Sequence, residues 1–204
     1  MRFGIDCDGV LSQFGGRVIE IANKLWPGKM PLDYVPTNWD YTDALTKDEW
    51  KEVWLEIRAT YKFWVNCLPY RENVWALRMF MNKHKDADVY FITSRAETIG
   101  ESVLAQTSKW LDWQDLWPRH GHATVIPVAD SQHKAAVIQA LQLPFFLDDY
   151  AVTVESLQSL PGTKTYVLDQ PWNRHVELPR VASVAEYLKI VEGSNAAIHR
   201  QAGR

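Results

Sequence analysis

Residues 3–10 read Phe3-Gly4-Ile5-Asp6-Cys7-Asp8-Gly9-Val10, and the fold is decided there. A short apolar run stops abruptly at an acidic, glycine-containing segment, the pattern of a buried strand that ends in a polar loop. The pattern recurs down the chain. Ala87-Asp88-Val89-Tyr90-Phe91-Ile92 ends at Thr93-Ser94-Arg95, and Thr124-Val125-Ile126-Pro127-Val128 is a further strand candidate. Pro144-Phe145-Phe146-Leu147 stops at Asp148-Asp149, and Thr165-Tyr166-Val167-Leu168 stops at Asp169-Gln170-Pro171. Between these runs lie stretches of helical periodicity. One covers 73–84, with Val74, Leu77, Phe80 and Met81 on one face; others cover about 97–113, 132–142 and 182–192, with the tail beyond Gly193 expected to fray. Strands alternating with helices predict an α/β protein, a Rossmann-like parallel sheet with helices on both faces. Ligands of such sheets bind beyond the carboxyl ends of the strands, which is where the polar clusters fall.

Residues 15–75 break the alternation. They are helical in pattern and rich in aromatics, among them Trp26, Trp39, Trp50, Trp54, Phe63 and Trp64. Thr46-Lys47-Asp48-Glu49 reads as a capping box that opens a helix through Trp50, Val53, Trp54 and Ile57. Gly15-Gly16 reads as a flexible entry into this insertion rather than a phosphate loop. Trp50 and Trp54 read as helix packing, and Trp110, Trp113 and Trp117 as core by their helical spacing.

The 204 residues suit one domain, or one domain with a modest insertion. Net charge is −3, so no basic excess drives binding to a nucleic acid polymer. Two cysteines, Cys7 and Cys67, exclude a disulfide-stapled scaffold and Cys-rich zinc sites. Met1-Arg2-Phe3-Gly4-Ile5-Asp6 reaches an acidic residue too soon for a signal peptide, and no apolar run approaches the roughly 20 residues of a membrane helix. A cytoplasmic protein without membrane contact is expected. His120 and His122 resemble a metal pair but have no third ligand beside them, so they read as loop histidines.

The chemistry lies at the strand ends. Asp6 and Asp8 are two apart on a turn, and carboxylates this close repel unless a cation shares them. Hard oxygen ligands suit Mg²⁺, which takes one or two carboxylates together with a phosphate. Asp148 and Asp149 supply further acidic oxygens, Thr93 and Ser94 can donate to a phosphate, and Lys134 at a helix start offers a compact positive charge. Carboxylate nucleophile, second carboxyl group, metal, hydroxyl donor and lysine together describe phosphoryl transfer through an aspartyl-phosphate.

These segments, in this order, resemble the four motifs of the haloacid dehalogenase superfamily: residues 3–10, Val89 to Ser94, Lys134, and Phe146 to Asp149. Asp6 to Phe14 further resembles the opening of that superfamily's 5′-deoxyribonucleotidases. Phe63 to Pro69 is similar to their return from cap to core, and Tyr166 to His175 to their fifth-strand segment. The resemblance implies a core of residues 1–14 and 76–204 with a helical cap over 15–75. It implies a Mg²⁺-dependent phosphomonoesterase acting on nucleoside monophosphates, deoxyribonucleotides foremost. Asp6 would be the nucleophile and Asp8 the general acid and base. Mg²⁺ would sit between Asp6, the Asp8 carbonyl and one of Asp148 and Asp149, with Asp149 favoured as the direct ligand. Thr93, Ser94 and Lys134 would hold the phosphoryl oxygens, and Phe14, Trp39 and Trp64 would wall in the base. Arg95 stands where close relatives have proline, and would either contact the phosphate or face solvent. A homodimer is admitted by the same resemblance. The rival readings are a phosphatase of this fold for a sugar phosphate or other small metabolite, and a catalytically silent nucleotide-binding module.

Overall fold

The computed structural model describes residues 1–116 and 122–202. The apolar runs form β1 (Arg2–Ile5), β2 (Asp88–Ser94), β3 (His122–Val128), β4 (Phe145–Asp148) and β5 (Lys164–Leu168), and a two-residue strand β6 (Arg180–Val181) adds an edge. The strands pair in parallel, in the order β3-β2-β1-β4-β5-β6. The chain therefore builds outward from β1 on one side, crosses back, and builds outward on the other. The reversal falls between β1 and β4, where a doubly wound sheet opens its ligand crevice. Ile5 stands opposite Leu147 in that pair, and the Asp6 amide donates to the Leu147 carbonyl at 2.9 Å. The register thus carries Asp6 and Asp148 out of the sheet side by side. A side chain is excluded at Gly4 in β1, because a Cβ there would stand 2.6 Å from the Phe146 ring.

Helices α1 (Phe14–Leu25), α2 (Lys47–Ala59), α3 (Arg71–Lys83), α4 (Val103–Trp113), α5 (Lys134–Ala140), α6 (Ala151–Leu157) and α7 (Val184–Ala202) complete the order. The main core sits between one face of the sheet and α3, α4 and α7, with Phe3, Leu77, Phe91, Trp110 and Tyr187 buried together. On the other face Ile138 and Leu157, from α5 and α6, pack against Ile92 and Phe146. The segment between β1 and β2 has an apolar cluster of its own, built from Phe14, Val18, Val53, Ile57, Phe63 and Trp64. Its α2 opens with the expected capping box, Thr46 with Glu49.

Several expectations are corrected. The helix expected from 97 starts only at Val103, capped by Ser102, whose hydroxyl accepts from the Ala105 amide at 3.2 Å. The residues before it are tied to the insertion instead: Lys62 N donates to Ile99 O at 2.8 Å and Ile99 N to Arg58 O at 3.1 Å. Helix α7 continues past Gly193 to Ala202, through a stretch with Ala196 and Ala197 that favours helix. Gly15 and Gly16 lie in the first turn of α1 rather than in a flexible link, and Gly15 lets the Tyr41 hydroxyl approach to 2.7 Å of where a Cβ would be. Trp110 is buried as expected, but Trp113 is 59% exposed. His122 opens β3 and is not in a loop. The readings of Trp117 and His120 fall outside the described residues.

Candidate active site

Asp6 follows β1, Asp148 ends β4 and Asp149 follows it, so the strand reversal brings three carboxylates together. All three are buried, and one oxygen of each lies within 4.8 Å of the others. Lys134, the first residue of α5, is buried among them; its ammonium donates to Asp148 Oδ2 at 2.7 Å and stands 3.1 Å from Asp6 Oδ1. Asp148 Oδ1 accepts from the Tyr150 amide at 2.9 Å, so both Asp148 oxygens are engaged. Asp149 Oδ2 accepts from the Trp172 indole at 2.9 Å. Asp149 Oδ1, by contrast, is buried without a hydrogen-bond partner, and Asp6 Oδ1 meets the Lys134 ammonium as an ion pair without a further donor.

One ammonium facing three carboxylates leaves negative charge uncompensated. Burial pushes the Asp6 carboxyl up to about 7 against the pull of Lys134, and the charges of Asp148 and Asp8 add to the rise. Burial, then Asp148 and Asp6, also raises Asp149 well above the usual carboxylate range. Burial works against the Lys134 ammonium, but Asp148 and Asp6 outweigh it and raise its pKa. The partnerless Asp149 oxygen and the excess of negative charge are what a hard divalent cation would relieve.

Gly9 makes this cluster sterically feasible. Its φ is +73°, and a Cβ there would lie 2.0 Å from Asp149 Oδ2. Gly9→Ala is therefore expected to cost about 1–2 kcal/mol in backbone conformation alone and to displace the Asp149 carboxylate. A lowered Tm together with weakened metal binding by titration calorimetry checks this.

The second aspartate of the turn, Asp8, is held by Arg95. The guanidinium forks onto it, Nε to Oδ2 at 2.7 Å and Nη2 to Oδ1 at 2.8 Å, and the Ser12 hydroxyl also donates to Oδ1. Arg95 Nη1 donates to Thr107 Oγ1 at 3.0 Å, and the guanidinium lies 4.8 Å from the Trp64 ring centroid. Arg95 is buried, so it does not face solvent, one of the two expectations for it, and its guanidinium is engaged by Asp8 and Thr107. It is a structural counter-ion in the bidentate geometry that only arginine offers. Oδ1 has its lone pairs filled by Nη2 and Ser12, whereas Oδ2 accepts only from Nε.

A cavity of about 370 Å³ opens over the cluster, with Asp6, Asp8, Ser94, Lys134 and Asp149 at its floor. Thr93, at the end of β2, is fully buried with a partnerless hydroxyl and does not line the cavity. The walls are Trp39, Trp54, Arg58 and Tyr150. Of the three aromatics expected to wall in the base, Trp39 lines this cavity and Phe14 and Trp64 do not. Phe14 is buried in a near-parallel stack, its centroid 5.9 Å from Trp39, 5.7 Å from Trp54 and 5.9 Å from Trp64. Trp64 is buried behind it, its indole donating to the Ala96 carbonyl at 2.8 Å. Trp54, which the helical pattern assigns to packing, reaches the cavity one turn before Arg58 on α2. The i, i+4 spacing puts the two on one face; which structure that face meets is set by tertiary packing.

Comparison with known proteins agrees with this geometry. None of the curated proteins matches the sequence significantly. Among solved structures the chain is similar to a haloacid dehalogenase-like hydrolase from Bacteroides fragilis, at 10% identity with a TM-score of 0.51, over 91% of this chain and 98% of that one. A hydrolase from Streptococcus pneumoniae TIGR4 follows at 10% identity and a TM-score of 0.48, over 83% and 92% of the two chains. The first of these likenesses, at so low an identity, speaks to the fold alone, a haloacid dehalogenase-like α/β sheet. No helix among the described residues is long and apolar enough to cross a membrane. The family model described as 5′ nucleotidase, deoxy (Pyrimidine), cytosolic type C protein matches residues 1–196. Nearly the whole chain is thus accounted for, acidic cluster and aromatic insertion included, and the protein belongs to this family of 5′-nucleotidase-type phosphoric monoester hydrolases.

Proposed function

We propose that the site hydrolyses nucleoside monophosphates, 5′-deoxyribonucleotides foremost, with Mg²⁺ as cofactor and Asp6 as nucleophile. The observation that carries this is a buried cluster of Asp6, Asp148 and Asp149 facing a single ammonium, Lys134, with Asp6 and Asp149 lining a cavity that Trp39 and Trp54 also line. Asp6 and Asp149, the latter through its partnerless Oδ1, would hold the cation, with the Asp8 carbonyl beside them. Asp148, both oxygens engaged, would serve to orient Lys134. The cation, when bound, supplies charge neutralisation at the phosphoryl oxygens.

The protein groups divide the remaining work. Asp6 attacks phosphorus as the bond to the ester oxygen breaks, and Asp8 delivers a proton to the departing 5′-oxygen. Water then attacks the phosphorus of the aspartyl-phosphate while Asp8 takes its proton, which frees Asp6 and inorganic phosphate. Lys134 would neutralise and, with Ser94, orient the phosphoryl oxygens throughout, both lining the cavity as Thr93 does not. Residues from 15 to about 70 act as the cap. Val74, near the end of the 15–75 span expected for it, packs in the main core, which supports a boundary before α3.

Phosphate release from a panel of 5′- and 3′-nucleoside monophosphates and sugar phosphates, with Mg²⁺ and with EDTA, tests the reading. Mg²⁺-dependent release favouring 5′-deoxyribonucleotides is expected, and EDTA is expected to abolish it. Release from sugar phosphates alone would reject the nucleotide assignment.

Trp39 offers the cavity a flat aromatic wall. Stacking on a base is worth about 1–3 kcal/mol, so Trp39→Ala is expected to raise KM for nucleotides about tenfold and to leave KM for glycerol phosphate little changed. Equal effects on both substrates would remove Trp39 from base recognition.

A further inference from the structure

The turn after β5 contributes nothing to the chemistry described so far, yet its side chains reach into three parts of the site. Gln170 Nε2 donates to the carbonyl of Gly9, in the loop that follows the nucleophile, at 2.6 Å. Asn173 Nδ2 donates to the Asp149 carbonyl at 2.8 Å and to the Leu168 carbonyl at 2.8 Å. Trp172 Nε1 donates to the Asp149 carboxylate at 2.9 Å. The turn is braced from behind, since Arg180 donates to Asp169, to the side chain and carbonyl of Asn173, and to the Val176 carbonyl. On its other side the Trp172 ring meets Trp39, centroid to centroid at 5.9 Å.

We propose that Trp172 is a positioning residue that selects which oxygen of Asp149 faces the cation. The reason is stereochemical. A carboxylate on a short side chain can turn about its last bond, and in this cluster it is repelled by Asp6 and Asp148. The indole N–H fixes Oδ2, and the backbone at Asp149 is fixed by Asn173. Oδ1 is thereby left as the free oxygen, buried, without a partner and within the acidic cluster. Trp172 is itself only 9% exposed, so its donor is not shared with solvent. An outer partner that orients a ligating carboxylate commonly changes metal affinity 10–100-fold when removed. The sequence signal, Gln170-Pro171-Trp172-Asn173, is visible only as a polar turn; its role depends on β5 lying next to β4.

The inference rests on the proposed metal site, and the test separates the two. Direct Mn²⁺ binding is measured by electron paramagnetic resonance on the wild-type protein and on Trp172→Phe, which keeps an aromatic ring against Trp39 but removes the donor. The dissociation constant is expected to rise about tenfold or more, with kcat at saturating metal and KM for nucleotide largely retained. Equal Mn²⁺ affinity in both proteins would overturn the role of Trp172 alone; absence of binding in the wild type would overturn the metal site with it. A fall in kcat at saturating metal, with no change in affinity, would also overturn the proposal and make Trp172 a packing residue. Should Trp172→Phe fold poorly, replacing Trp172 with benzothienylalanine, in which sulfur takes the place of the N–H, repeats the measurement with the ring shape kept. The same outcomes decide.

Discussion

Asp6→Asn is expected to reduce kcat by about 10⁴-fold or more, the scale seen when a covalent nucleophile is removed. The amide is nearly isosteric with the carboxyl group, so the pocket keeps its shape and substrate binding persists. Thermal stability of the metal-free protein is expected to rise, not fall. Burial and the neighbouring carboxylates make the Asp6 charge unfavourable in the folded state, as its raised pKa reports, and the amide removes that repulsion. Loss of activity with gain of stability is the signature of a residue held for chemistry. Retained turnover would place the nucleophile elsewhere.

Arg95→Met is expected to have the largest effect on stability. It leaves the Asp8 carboxylate buried with only Ser12 as donor, and removing one partner of a buried ion pair costs about 3–5 kcal/mol. For a chain of this size that lowers Tm on the order of 10 °C. Asp8→Leu added to Arg95→Met is expected to recover part of the loss, because no buried charge then remains unpaired, while leaving activity absent. Kinetics separate the roles further. With Asp8 no longer oriented, hydrolysis of a nucleotide, whose leaving oxygen needs a proton, falls far more than hydrolysis of para-nitrophenyl phosphate. A Tm unchanged in the single variant would contradict the ion pair.

The strands and the acidic floor of the site were legible because each rests on local signals. Apolar runs ending at Asp6, Thr93 and Asp148 announce both a strand and the place where it stops, and a parallel sheet gathers those ends by rule. What was not legible depends on packing between distant segments. Nothing around Arg95 says that it turns inward to Asp8, 87 residues away. Nothing around Trp54 distinguishes it from a core residue of α2, and the burial of Phe14 follows from Trp39, Trp54 and Trp64 converging on it from different segments. Short elements also escape periodicity. Helix α6 has 7 residues and β6 has 2, too few for a repeat to register.

The most direct test of Asp6 as nucleophile uses Asp8→Asn with para-nitrophenyl phosphate. That leaving group departs without a proton, so the first step proceeds, whereas the second lacks its base and the covalent species accumulates. Rapid mixing should give a burst of one nitrophenolate per protein, and acid quench followed by mass spectrometry should find one added phosphoryl group, on Asp6. Steady release without a burst, in a protein that carries no phosphoryl group or carries it at another residue, would contradict catalysis through an aspartyl-phosphate at Asp6.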